Sequence, residues 1–467
     1  MDKFRIESDL LGEKQIPSHA YYGVQTQRAL ENFQISPYKL SQEPYFIKAL
    51  GIIKLAAAQA NHELGKLDND IFQAIQQACQ DVINGKYDEE FPIDLFQGGA
   101  GTSTNMNANE VIANVALEYL QQPKGAYQYC SPNDHVNLAQ STNDAYPSAL
   151  KLALFYKNKA LAESLEKLYF ALDRKATEFD DVIKMGRTQL QDAVPMTLGQ
   201  EFSAFAYTLK VEIQKLYTAA NQFLELNMGA TAIGTGLNAE PGYALKCIER
   251  IAQITQEPVR LSENLVEATS DTSAFVTYSS ALKRLAIKLS KICNDLRLLT
   301  SGPRAGLYEI NLPPKQPGSS IMPGKVNPVI PEVVNQICFK VIGNDTTISF
   351  ASEAGQLQLN VMEPVIALSL FESINLLTNG ILTLKKECIE GITANKEHLR
   401  KEVENSIGIV TALNPHIGYK NATMIAKEAL ETGQSVYQLV LKHNILSQEK
   451  LDEILDHKNM FGHQHTE

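Results

Sequence analysis

The chain has 467 residues, 44% hydrophobic and 20% charged, enough to bury a large core without disulfides or metal staples. Its 42 Lys and Arg face 53 Asp and Glu, a net charge of −11, which argues against non-specific binding to nucleic acid or to an anionic membrane. A small anionic substrate is still allowed, because such a ligand answers to local charge. No stretch approaches the roughly 18–20 uninterrupted apolar residues of a membrane helix. The opening Met1-Asp2-Lys3-Phe4-Arg5 is charged where a signal peptide would be apolar, so a cytoplasmic protein is predicted.

In chain order, the first 140 or so residues mix shorter helices with turn-rich loops. Long amphipathic helices follow. Leu154, Leu161, Leu165, Leu168 and Leu172 mark one seam; Phe202, Phe205, Leu209, Leu216 and Phe223 mark another, with Gly229 expected to end that helix. From Phe275 the apolar series Phe275, Tyr278, Leu282, Leu285, Leu289, Ile292, Leu296, Leu299 alternates steps of three and four. That is a heptad seam, begun near Ser270 and Asp271 and stopped by Ser301-Gly302-Pro303. From about Ser352 to Leu384 the pattern is helical again, with Pro364 predicted to kink it. Strand signals are weak and confined to the ends.

An all-α, mostly helical fold is therefore predicted, cut into an N-terminal domain (1–140), a central long-helix bundle (141–396) and a small C-terminal domain (397–467). Seams this long want partners along their whole length, which predicts a bundle that recruits other subunits. The six cysteines Cys79, Cys130, Cys247, Cys293, Cys338 and Cys388 form no CxxC pair and read as buried reduced thiols. His457, His463 and His465 read as part of a solvated tail rather than a metal site.

Four polar, glycine-marked loops interrupt this pattern: Gln97–Asn105, Gln140–Asp144, Gly186–Asp192 and Gly318–Pro328. For any one of the first three, helix capping explains the Ser, Thr and Asn residues at least as well as a site does. The fourth is harder to explain by capping, since two glycines bracket paired serines and a lysine. It fails as a Walker loop, because five residues separate Gly318 from Gly324 and Val326 follows Lys325. Gly234-Thr235-Gly236 likewise lacks the strand–turn–helix unit and acidic partner of a dinucleotide site. A glycine loop carrying serines and a lysine suits closure over a small dicarboxylate, with lysine supplying a fixed positive charge.

The stretch Gly318-Ser319-Ser320-Ile321-Met322-Pro323-Gly324-Lys325-Val326-Asn327-Pro328 resembles the signature loop of the aspartase/fumarase superfamily. Other motifs match in order along the chain: Asp9-Leu10-Leu11-Gly12-Glu13, Ala100-Gly101-Thr102, Gly186-Arg187-Thr188, Gln356-Leu357-Gln358-Leu359-Asn360 and Asn414-Pro415-His416-Ile417-Gly418-Tyr419. The resemblance implies a three-domain helical protomer and a homotetramer around a twenty-helix core. It also implies composite active sites drawn from three subunits.

Within the superfamily, Ala100, Thr142 and the Val329–Gln336 stretch resemble aspartases, whereas class II fumarases usually carry other residues there. Gln189 stands where fumarases and some aspartases have His, and glutamine cannot serve as a general acid or base. The implied reaction is the reversible conversion of L-aspartate to fumarate and ammonia; the alternative is fumarate hydration. By resemblance Ser319 is the base, and Thr102, Ser141, Thr142 and Ser320 receive the charge that develops on the β-carboxylate. Lys325, Asn327 and Thr188 hold the α-carboxylate, and Asn143 and Gln189 face the amine. No cofactor is implied as required and no metal ligands are nominated; Mg²⁺ is implied only as an activator of the Gln-type group. A purely structural role is opposed by the presence of Ser319 and Lys325.

Overall fold

The computed structural model describes residues 3–456; the tail histidines His457, His463 and His465 lie outside them. A hairpin of β1 (Phe4–Asp9) and β2 (Gly12–Pro17) opens the chain. Helices α1 (Val24–Asn32), α2 (Pro44–Glu63), α3 (Asn69–Ile83) and α4 (Thr102–Tyr119) follow. Then come α5 (Thr142–Glu178), a second hairpin of β3 (Ile183–Thr188) and β4 (Gln191–Thr197), and α6 (Leu198–Ala220). Strand β5 (Glu225–Leu226), α7 (Tyr243–Thr255), β6 (Arg260–Leu261), α8 (Leu265–Ser270) and α9 (Ser273–Leu299) lead to β7 (Ile310–Asn311). Beyond it lie α10 (Val329–Glu353), α11 (Glu363–Glu387) and β8 (Thr393–Ala394). The described chain ends with α12 (Lys396–Asn405), α13 (Ile409–Thr432), α14 (Val436–Lys442) and α15 (Gln448–Ile454). The fold is mostly α.

The seams are the reason. All eight residues from Phe275 to Leu299 are buried, none more than 5% exposed. The seam of α5 from Leu154 to Leu172 and that of α6 from Phe202 to Leu216 are equally covered. Each such apolar side chain contributes roughly 1.5–3 kcal/mol on burial. At 1.5 Å per residue, the 37 residues of α5 run about 55 Å. The six cysteines are free and buried.

Three local expectations are corrected. Gly229 does not end α6, which stops at Ala220 and gives way to a 3-10 turn and β5; Gly229, at φ +93°, sits in the loop beyond, where a Cβ would meet Ala244 at 2.5 Å. Pro364 does not kink a helix. Two helices replace the one expected there, and Pro364 is the second residue of α11, where its missing N–H would be unsatisfied anyway. Strands are not confined to the ends either, since β3 and β4 form a hairpin in mid-chain. Among the described residues one helical stretch, 363–391, is long and apolar enough to cross a membrane, but 61% of its most apolar window is buried inside the protein.

The chain divides into two compact units. One holds residues 1–162, 214–284 and 339–377; the other holds 163–213, 285–338 and 378–467. Helices α5, α6, α9, α10 and α11 each contribute residues to both. In the first unit Tyr278 Oη on α9 donates to Asn158 on α5 at 2.9 Å, and Ser279 on α9 donates to Asp345 on α10 at 2.8 Å. In the second, Asn335 on α10 donates to Ser290 on α9 at 2.8 Å, and Phe179 meets Phe202 edge to face.

Candidate active site

The first unit carries Thr102, Ser141, Thr142 and Asn143 at the N-termini of α4 and α5. Such termini point unpaired N–H groups outward and favour an anion. Ahead of α4, Gly99, Ala100 and Gly101 take φ values of +91°, +58° and +93°, a tight left-handed turn. Thr102 is exposed at its end, donating its hydroxyl to the carbonyl of Gly99 at 2.7 Å. A Cβ on Gly101 would sit 2.4 Å from the ring of Tyr146, which lies in the first turns of α5, so the two helix starts are pressed together.

Two buried charges fix this junction. Lys54, in the middle of α2, donates to Asn105 Oδ1 at 2.7 Å, Gln140 Oε1 at 2.8 Å and Asn137 Oδ1 at 3.0 Å. It thereby ties the first turn of α4 to the loop ahead of α5. Burial pushes its ammonium down to about 7, while three acceptors for three N–H bonds suit the charged form. Asp144 accepts from the N–H groups of Ser141, Gly229 and Thr231 at 2.9–3.1 Å, joining α5 to the loop after β5. Burial pushes its carboxyl up to about 6, opposed by those N–H groups and by Lys54.

Ser141 caps α5, its Oγ accepting from the N–H of Asn143 at 3.2 Å. Thr142 is buried at the same terminus. Asn143 donates one amide N–H to the carbonyl of Ala232 at 2.7 Å, which leaves Oδ1 and the second N–H to offer a ligand. That oxygen is an acceptor, as an ammonium group requires.

The second unit carries Thr188, Gln189, Ser319, Ser320, Lys325 and Asn327. Thr188 pairs with Gln191 across the β3–β4 hairpin, so Gln189 and Leu190 form a two-residue turn, both left-handed at φ +56° and +62°. Such turns ordinarily carry Asn-Gly; two ordinary side chains there cost roughly 1–2 kcal/mol each. Thr188 and Gln189 are exposed at the tip.

In the loop ahead of α10, Ser319 Oγ accepts from the backbone N–H of Met322 at 3.0 Å and of Ile321 at 3.2 Å. Asn327 closes the loop base by donating to Gly318 O at 2.7 Å, and Gly318 N–H donates to Lys325 O at 2.7 Å. Gly318 is required there, because a Cβ would lie 2.5 Å from that carbonyl oxygen. Ser320 and Lys325 are exposed. Arg297, Tyr308, Lys325 and Asn327 line part of a cavity of about 550 Å³. Among the described residues no side-chain hydrogen bond joins the hairpin tip to this loop.

The sequence reading assigned Lys54 and Glu309 no role and placed Asp144 only in a capping stretch. The signals were there: a lone lysine inside Ile52-Ile53-Lys54-Leu55-Ala56, and an aspartate completing the cap signature after Ser141. Among the described residues no cluster of three or more His, Cys, Asp or Glu is arranged to hold a metal ion, so no residue is assigned to Mg²⁺.

The model of a family described as lyase matches residues 12–343, and one described as the fumarase C C-terminus matches 409–462. An aspartate ammonia-lyase from Pseudomonas aeruginosa is 57% identical over 459 residues, covering 98% of this chain and 97% of that one. A crystal structure described as fumarate lyase:delta crystallin from Brucella melitensis bound to cobalt superposes with a TM-score of 0.95 at 52% identity. It covers 98% of this chain and all of that chain. A class II fumarase from Schistosoma mansoni reaches a TM-score of 0.88 at 36% identity, covering 98% of both chains. With motifs, fold and near-full-length identity in agreement, the chain belongs to the aspartase/fumarase superfamily of lyases.

Proposed function

We propose that the protein reversibly removes ammonia from L-aspartate to give fumarate, acting in the cytoplasm as a homotetramer whose twenty-helix core is built from the long helices. Each active site combines the α4–α5 junction of one subunit with the hairpin tip and the serine loop of others. The three-part division at about residues 140 and 396 goes with that assembly. Aspartate is favoured over malate by 57% identity to an aspartate ammonia-lyase, against 36% to a class II fumarase.

The hard step is removal of a weakly acidic proton from the carbon beside the β-carboxylate, which loads an extra negative charge onto that carboxylate. Donors aimed at this charge bind the intermediate more tightly than the substrate, which is what lowers the barrier. Thr102, Ser141, Thr142 and Ser320 fill that role. Ser319 takes the proton. Its hydroxyl is a poor base unless the alkoxide is stabilised, and the observation that carries the assignment is that two backbone N–H groups already point at Oγ. Lys325, three residues before the loop's end at Pro328, adds positive charge and holds the α-carboxylate with Asn327 and Thr188. Asn143 offers Oδ1 to the departing amine, and Gln189 faces the same group as a hydrogen-bonding partner only.

Ser319→Ala tests the assignment. Turnover of L-aspartate should fall by more than about 10³-fold, since the base itself is gone, while size-exclusion elution stays that of the wild type. A variant retaining wild-type kcat would overturn the role of Ser319.

A further inference from the structure

We infer that Glu309 is a positioning residue for the reaction: its buried carboxylate clamps strand β3 through Lys184 and Arg187 and so fixes where the hairpin tip presents Thr188 and Gln189. The inference rests on the proposal that this tip contacts substrate.

Glu309 is fully buried and held at both backbone ends, its N–H donating to Leu299 O and its carbonyl accepting from Asn395 N–H, each at 2.9 Å. Arg187 Nη1 contacts one carboxylate oxygen and Lys184 Nζ lies 2.5 Å from the other. Lys184 also reaches Glu201 at 2.8 Å, and Arg187 reaches Glu402 at 3.5 Å.

Residues three apart on a regular strand point to opposite faces. Lys184 and Arg187 nevertheless meet one carboxylate, and the register of β3 against β4 shifts between them, from Met185 to Arg187. The extra residue lies on β4, where Ala193 and Val194 together face Gly186; a Cβ on Gly186 would approach Val194 O at 3.0 Å, and a bulge of this kind raises the local twist of the pair and re-aims its side chains. The bulge and the two cations thus form one device.

Immediately after Arg187 come Thr188 and the left-handed pair Gln189 and Leu190. A turn in that conformation with no glycine persists only when its surroundings over-determine it. The ion cluster at the strand's base supplies that constraint, and Glu309 is its one fully buried anion.

The test is a double-mutant cycle in the full-length enzyme, with steady-state kinetics on L-aspartate. Glu309→Gln keeps the shape and removes the charge. It should lower kcat/KM by about 30–100-fold, the scale of a misplacement near 1 Å, with most of the loss in KM. In a background carrying both Thr188→Ala and Gln189→Ala the same change should cost no more than about 2-fold, because the groups it positions are already missing. Multiplying losses would overturn the inference, as would wild-type constants for Glu309→Gln. If Glu309→Gln fails to fold, Arg187→Lys, which keeps the charge but loses the fork, is put through the same cycle with the same expected outcomes. A Gln189→Ala enzyme with wild-type constants would instead overturn the role of Gln189. The clamp is then judged by the cycle on Thr188→Ala, where multiplying losses overturn it.

Discussion

At the scale of single residues, the site is built from ordinary side chains in costly places. Ser319, Lys325 and Gln189 could be named from the sequence because the stretches that carry them resemble the superfamily's motifs. Lys54 and Glu309 could not, because a lone charge among apolar neighbours reads as an interruption until its partners from distant segments are seen, and Asp144 reads only as part of a helix cap. Asn105, Asn137 and Gln140 lie more than 50 positions from Lys54. Glu363, at the start of α11, is a related case. Burial pushes its carboxyl up to about 8, with Lys151 opposing only in part. The unfolded chain titrates this group near 4.5, so between about pH 4.5 and 8 the folded state holds more protons and stability falls as pH rises. Glu363→Gln removes that loss. The variant's Tm should gain on the wild type between pH 5 and pH 8.5, whereas a difference independent of pH would contradict the burial effect.

Among elements, the long helices were legible because a heptad seam repeats often enough to outvote local composition. The β3–β4 hairpin was not. Its turn, Gln189-Leu190, carries none of the glycine or asparagine that marks a two-residue reversal, and its geometry is imposed from outside by the ion cluster. Pro364 misled for the opposite reason, since a proline signals a kink or a start with equal strength and only the break between α10 and α11 decides. The α4–α5 junction yields a direct test. Gly101 combines φ +93° with an approach of 2.4 Å to Tyr146. Gly101→Ala should therefore destabilise the protein by about 2–3 kcal/mol and lower kcat/KM for aspartate, because Thr102 follows directly. Urea denaturation and steady-state kinetics on one preparation would check both. An unchanged midpoint would mean the junction yields freely.

For the whole molecule, exposed apolar residues on the long helices argue for association. Phe339 and Phe350 on α10 are 62% and 71% exposed, and Ile287 and Leu298 on α9 are 52% and 40% exposed. Each pair is eleven residues apart, three helical turns, and so shares a face. Faces of this kind mark interfaces, and the sequence had predicted subunit recruitment from seam length alone. If the proposed tetramer forms through this face, Phe339→Glu with Phe350→Glu should break it, read by multi-angle light scattering, and abolish turnover, because the proposed composite site needs more than one chain. Full activity in a monomer would refute the composite arrangement.

The central claim is the identity of the substrate. Fumarate absorbance followed with purified protein and either L-aspartate or L-malate tests it most directly. Fumarate should form from aspartate and not from malate, and added ammonia should reverse the reaction. Fumarate from malate alone would contradict the claim, and would mean that Ala100, Thr142 and Gln189 do not set the choice between ammonia and water.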